Sequence, residues 1–135
     1  MKSKLRRVYL ASFYADQQRM REYRDILQAY NITVTSTWID QAETETLPNL
    51  SKKKMIEFAD RDFREIRNAH WLVLFDDSDN PSRGKYIEAG YAFALGIPII
   101  VVGEMRSLFY YRVAARRIDS FEHLLKRLPE WRSKL

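Results

Sequence analysis

Residues 82–103, SRGKYIEAGYAFALGIPIIVVG, constrain the fold of this chain more than any other stretch. They read as a loop, a helix and a buried strand in close succession. The spacing predicts a helix over 85–95, stopped by Gly96 with Pro98 just beyond, because glycine accepts the left-handed cap and proline cannot continue the helix. Residues 97–102 form an unbroken apolar, mostly β-branched run. Such a run suits a strand covered on both faces of a parallel sheet. Gly84 suits a tight turn, since it adopts positive φ without a Cβ clash. Glu88 falls in the first turn of this helix, where the helix dipole favours the ionised carboxylate. A carboxylate held ionised beside a glycine turn suits a nucleophile; on this local evidence alone the placement better suits a residue that only helps the helix start.

The flanking chain supplies more alternating elements. Residues 7–12 form a short strand, with Ser12, Phe13 and Tyr14 in the loop at its carboxyl end. Asp16 can cap a helix reaching Tyr30, with Met20, Tyr23, Leu27 and Tyr30 on one face. Asn31 suits the C-cap turn. Residues 32–39, ITVTSTWI, alternate and are β-branched, so the whole run is predicted as a second strand. Residues 40–49 are polar and include Pro48, so they read as a loop or broken helix. Ser51 caps a helix to about Asn68 that carries Met55, Ala59, Asp62 and Ile66 on one face. An unpaired charge in that apolar stripe is costly. Asp62 therefore pairs with a core donor or faces a cleft and a ligand. Residues 71–75, WLVLF, form a third strand followed by an acidic loop, Asp76 to Asp79, read as turn and cap residues and not as a metal site. Residues 106–112 are irregular and 113–118 a weaker strand. Asp119 or Ser120 caps a last helix with Phe121, Leu124, Leu125 and Leu128 buried and Pro129 at its end.

Strands alternating with helices predict an α/β protein, one domain over 1–135 with a five-stranded parallel sheet between helical layers. The flavodoxin-like order 2-1-3-4-5 is expected. Ligands bind such sheets beyond the carboxyl ends of the strands, at the switch point between strands one and three. That location gathers Ser12 and Phe13, Trp38 after strand two, the loop with Ser82, Arg83 and Gly84, and Glu88. At 135 residues, 46% hydrophobic and 30% charged, the chain can bury a real core. No apolar run approaches membrane-spanning length, and the start reads as a strand and not as a signal peptide. The absence of cysteine leaves no disulfide framework and points to the cytoplasm. A net charge of +5 permits an anionic ligand. The Lys52–Lys54 run lacks interleaved aromatics, so nucleic acid is not an expected partner. His70 and His123 are too scattered for a metal cage and read as structural. No phosphate-loop or dinucleotide fingerprint is present.

VYLAS near the start, TVTSTWI, DFREIRNAH and above all SRGKYIEAGYAFALGIPIIVVG together resemble the nucleoside 2-deoxyribosyltransferase-like superfamily. Deoxyribosyltransferases and nucleoside 5′-monophosphate N-glycosidases belong to it. The resemblance implies that Glu88 attacks the anomeric carbon, that Asp62 lies near the nucleobase, and that Tyr9 orients the nucleophile. It implies a homodimer or larger homo-oligomer, with no metal or organic cofactor. Ser82 stands where the transferases carry aspartate and the monophosphate hydrolases carry a serine serving the 5′-phosphate. Ser82 and Arg83 therefore favour cleavage of a nucleoside 5′-monophosphate. The loop SFYADQQR lacks the glycines of the best-known hydrolases, and His70 replaces an aspartate common in the family. The alternatives are base exchange by a transferase and a non-catalytic nucleotide sensor using the same cleft.

Overall fold

The computed structural model describes residues 6–42, 48–78, 83–104 and 107–134. Its centre is a five-stranded parallel sheet built from β1 (Arg7–Ala11), β2 (Thr33–Val34), β3 (Trp71–Asp76), β4 (Ile99–Gly103) and β5 (Ala114–Ile118). The order is β2-β1-β3-β4-β5, as the sequence implied. Between the strands run α1 (Gln17–Ala29), α2 (Lys52–Arg67), α3 (Gly84–Ala94), the single turn α4 (Tyr110–Val113) and finally α5 (Phe121–Lys134). Every residue of β3 and β4 is buried, which is why both read as unbroken apolar runs. The register sets Ala11 beside Leu74 and Asp76 beside Gly103, so the carboxyl ends of β1, β3 and β4 finish at a common edge.

The helix boundaries follow local chemistry. Ser51 Oγ accepts from Lys54 N at 3.1 Å and starts α2. Ser120 Oγ accepts from His123 N at 3.1 Å at the start of α5. Asn31 takes φ 63° after α1, the left-handed turn expected of it. Asp16 occupies the N-cap position of α1 without a capping bond, because its carboxylate is held by Ser12 and Arg19.

Five expectations are corrected. Asp76 is not a turn or cap residue but the buried last residue of β3. The second strand is two residues long and not eight. Beyond Thr35, side chains take over its pairing with β1: Leu10 N donates to Ser36 Oγ at 3.0 Å, and Trp38 Nε1 donates to Leu10 O at 2.8 Å. Pro129 does not end α5, which continues through it; Trp131 is buried and stacks on Trp71 at 6.5 Å, tying the last turns to the sheet. Met55 and Ala59 are exposed, so only Ile66 of the predicted α2 stripe reaches the core. Gly84 does not take positive φ and is simply the first residue of α3.

The Ser36 substitution for a strand residue carries a prediction. Ser36→Ala leaves the buried Leu10 N–H unpaired and lowers unfolding free energy by about 1–3 kcal/mol, measured by urea denaturation. A variant as stable as the native protein would mean that Leu10 has another acceptor.

Candidate active site

Helices α2 and α3 lie side by side over one face of the sheet. Phe63 packs on Tyr91 with ring centres 4.6 Å apart, and Arg67 Nη1 donates to Tyr91 Oη at 2.7 Å. This packing turns the middle of α2, with Arg61 and Asp62, towards Glu88 on α3. Under them lies Tyr9, fully buried in β1. Its phenol donates to Glu88 Oε2 at 2.6 Å. Among the described residues Glu88 Oε1 has no hydrogen-bond partner, so one carboxylate oxygen is anchored and the other is available.

Glu88 corrects the simplest reading of its position. The helix begins at Gly84, so Glu88 is its fifth residue and lies beyond the first turn. It is half-buried and not at an exposed helix start. Burial is the main influence on its carboxyl and pushes the pKa up to about 8; the Asp62 and Glu65 charges add to this, while the Tyr9 bond and Arg61 oppose it. Desolvation outweighs the helix dipole, whose effect falls off within the first turn. Tyr9 is itself pushed well above the usual phenol range, first by burial and then by the Glu88 and Asp62 charges. It therefore stays protonated as a donor at every working pH.

Asp62 is partly buried, and burial raises its pKa against the pull of Arg61. Arg61 Nε and Nη2 reach Asp62 Oδ1 at 3.1 and 3.0 Å, and Nη2 reaches Gln41 Oε1 at 2.7 Å. The guanidinium rests over the Phe58 ring, 4.7 Å from its centre. The donor to Asp62 is thus the neighbouring Arg61 of the same helix and not a core group, and the Asp62 charge is felt at Glu88. Arg61 and Gln41 were not singled out by the sequence. An arginine adjacent to an aspartate on a charged helix carries no periodic signal.

The remaining expected residues are distributed unevenly. Phe13 follows β1 and is partly exposed at the sheet edge. Ser12 is buried and its hydroxyl donates to Asp16 Oδ2 at 2.7 Å. Trp38 is buried, its indole N–H bound to Leu10 O. Arg83 is exposed at the start of α3, beside Gly84. Ser82 lies outside the described residues, as do Asp79, Asn80 and Pro81 of the acidic loop. His70 Nδ1 accepts from Arg7 N at 3.2 Å, a structural use. Among the described residues no group of three or more histidine or carboxylate side chains is placed to hold a metal. None of the described helices is long and apolar enough to cross a membrane.

The raised Glu88 pKa has a stability consequence. Between about 4.5, its value when unfolded, and about 8 the folded protein holds a proton that the unfolded chain releases. Unfolding free energy therefore falls as pH rises through this window. Glu88→Gln removes the effect, so the variant gains on the native protein as pH goes from 5 to 8, on the order of 3 kcal/mol at pH 7. Thermal melts of both proteins across that range check it. A stability difference independent of pH would show that Glu88 titrates normally.

Comparison with known proteins places the chain in a family. Residues 8–125, well over half the chain, match the family model described as nucleoside 2-deoxyribosyltransferase. Among solved structures, a 2-deoxyribosyltransferase from the psychrotolerant bacterium Bacillus psychrosaccharolyticus is similar, with TM-score 0.73 and 18% identity over 87% of this chain and 89% of that one. A CMP N-glycosidase, BcmB, from Clostridium botulinum gives TM-score 0.63 and 18% identity over 92% and 99%. A conserved protein from Enterococcus faecalis V583 gives 0.71 and 18% over 93% and 98%. No curated protein matches the chain in sequence. At this identity the structures establish the shared fold, while the family match covers most of the chain: the chain belongs to the nucleoside 2-deoxyribosyltransferase family of enzymes.

Proposed function

We propose that this protein cleaves the N-glycosidic bond of a nucleoside 5′-monophosphate, releasing free base and sugar phosphate. The observation that carries the reading is the 2.6 Å bond from Tyr9 to one oxygen of the half-buried Glu88 carboxyl. It fixes the carboxylate while leaving Oε1 to react. In the first step Oε1 attacks the anomeric carbon, and the C–N bond breaks with its electron pair going to the base nitrogen. Asp62 supplies the proton that the leaving base takes up. Glu88 then carries the sugar as a glycosyl ester. In the second step water attacks the same carbon, the ester C–O bond breaks, and the water proton passes to Asp62. The reading takes Phe13 and Arg83 as substrate contacts, together with Ser12, Trp38, Ser82 and Gly84. The reading needs no metal or organic cofactor.

The reading also includes a cytoplasmic homo-oligomer with a single catalytic domain. Exposed apolar side chains support the assembly: Ile87 on α3, and Leu108, Phe109 and Tyr111 around α4.

Two carboxyls sharing a site titrate as a pair. If Asp62 donates and Glu88 attacks, the reactive form holds one proton between them. The value of kcat/KM then follows a bell whose falling limb lies near 8, where the pair loses its last proton. Asp62→Asn lowers kcat/KM by roughly 100-fold or more and abolishes the falling limb. A native profile that instead rises through 8 to a plateau would remove Asp62 as the acid.

The choice of a phosphorylated substrate rests on Ser82, Arg83 and the adjacent N–H groups opening α3. A carboxylate at position 82 would repel phosphate; a hydroxyl and a guanidinium bind it. Charge-assisted contacts worth about 2 kcal/mol favour the monophosphate over its nucleoside by roughly thirtyfold in kcat/KM. Ser82→Asp shrinks or reverses that preference. The test is base release from one matched nucleoside and its 5′-monophosphate, at fixed salt, with and without an acceptor base. Equal values, or a nucleoside preference with efficient base exchange, would make the protein a transferase. Binding of the nucleotide without base release would make it a sensor.

A further inference from the structure

Lys85 lies one turn before Glu88 on α3 and shares the buried side of that helix with Ala89 and Ala92. Its side chain is 0% exposed and that of Asp76, at the end of β3, 1% exposed. Lys85 Nζ stands 3.2 Å from Asp76 Oδ1 and 3.4 Å from Phe75 O. Asp76 Oδ2 accepts from Tyr110 Oη of α4 at 2.8 Å, and Tyr86 Oη lies 3.4 Å from Oδ1. The ammonium also faces the Tyr86 and Phe13 rings, 5.4 and 6.0 Å from their centres. Gly103 of β4 lies against the Asp76 backbone. At φ 120° it brings β4 so near Asp76 that a Cβ there would lie 2.7 Å from the Asp76 carbonyl carbon.

Stability is a weak reason to keep such a cluster. Taking two charges out of water costs several kcal/mol per ion, and well-packed apolar residues of the same volume often stabilise as much or more. What an ion pair supplies and an apolar pair does not is direction. Helix α3 is held at two points one turn apart: Lys85 to β3 through Asp76, and Glu88 to the neighbouring β1 through Tyr9. With both made, the helix cannot rotate or slide without breaking one.

We propose that the Asp76–Lys85–Tyr110 cluster is a positioning device that sets the rotation of α3, so that the Glu88 carboxyl meets Tyr9 and presents its free oxygen to the cleft. Lys85 is fully buried and acts through Glu88 and through Phe13, whose ring it faces. The kinetic half of the proposal rests on Glu88 as nucleophile. The geometric half does not.

The test uses Asp76→Asn/Lys85→Met, which removes both charges, keeps both shapes and leaves an amide oxygen for Tyr110. The expected variant is folded, with kcat at least about tenfold lower and KM within about threefold of native, since misplacement of a reacting group acts on the chemical step. A second measurement needs no turnover. The carbon-13 shift of the Glu88 carboxyl, followed against pH, reports its titration, which burial pushes up to about 8. Tyr9→Phe raises that midpoint, because the Tyr9 bond opposes the rise. The paired variant raises it in the same direction, and adding Tyr9→Phe to it changes nothing more. Tyr110→Phe is the milder probe, read by the same titration if the paired variant does not fold, with a smaller upward shift expected. A folded paired variant with native kcat overturns the proposal. So does an unmoved Glu88 midpoint with the full Tyr9→Phe increment retained, or an unmoved midpoint in Tyr110→Phe when only that variant folds. Native protein that releases no base from any nucleotide rejects the proposed function and leaves the carboxyl titration to decide the positioning role.

Discussion

Tyr9 Oη and Glu88 Oε2 meet at 2.6 Å between a central strand and the helix over it. Neither group could be buried alone at low cost, since a phenol and a carboxyl taken out of water each need a partner. Each satisfies the other, and the bond needs both the parallel register of β1 with β3 and the lie of α3. The sheet order matters for the same reason. The reversal of strand order at β1 and β3 opens a crevice at their carboxyl ends. Glu88 and Asp62 come to this region from two separate helices, close enough for their charges to interact.

Electrostatics in this crevice are set more by burial than by the helix dipole. Glu88, Asp62 and Tyr9 all lie above their ordinary pKa values, and burial leads the causes each time. Arg61 is the compensating charge, bound to Asp62 and felt at Glu88. Two carboxyls of unequal environment, one cation and one permanent phenol donor suit a reaction in which one carboxyl attacks and the other moves a proton.

Much of the fold was legible because β3 and β4 are apolar throughout and α1, α2 and α5 carry clear faces or caps. The second strand was overread because ITVTSTWI alternates, yet Ser36 and Trp38 bind the β1 backbone through side chains, which no alternation reveals. The last helix was cut short at Pro129 because the stacking of Trp131 on Trp71 is a long-range contact. At the candidate site, residue patterns pointed to Glu88 and Asp62 and the family resemblance to Tyr9, but not to the charge state of Glu88, since desolvation belongs to the packed molecule. Lys85 was legible in principle: it shares a helical stripe with Ala89 and Ala92, and a lysine on an apolar stripe implies a buried anion.

The central claim is that Glu88 becomes covalently bonded to the sugar, and trapping that bond tests it most directly. A nucleoside 5′-monophosphate with fluorine at the 2′ carbon slows both steps by destabilising the cationic sugar. Incubation with it, acid quenching and peptide mass analysis should show the fluorinated sugar phosphate on the peptide containing Glu88, with none in Glu88→Ala. Base release from the analogue with no adduct on that peptide, or with an adduct on another residue, would contradict the account.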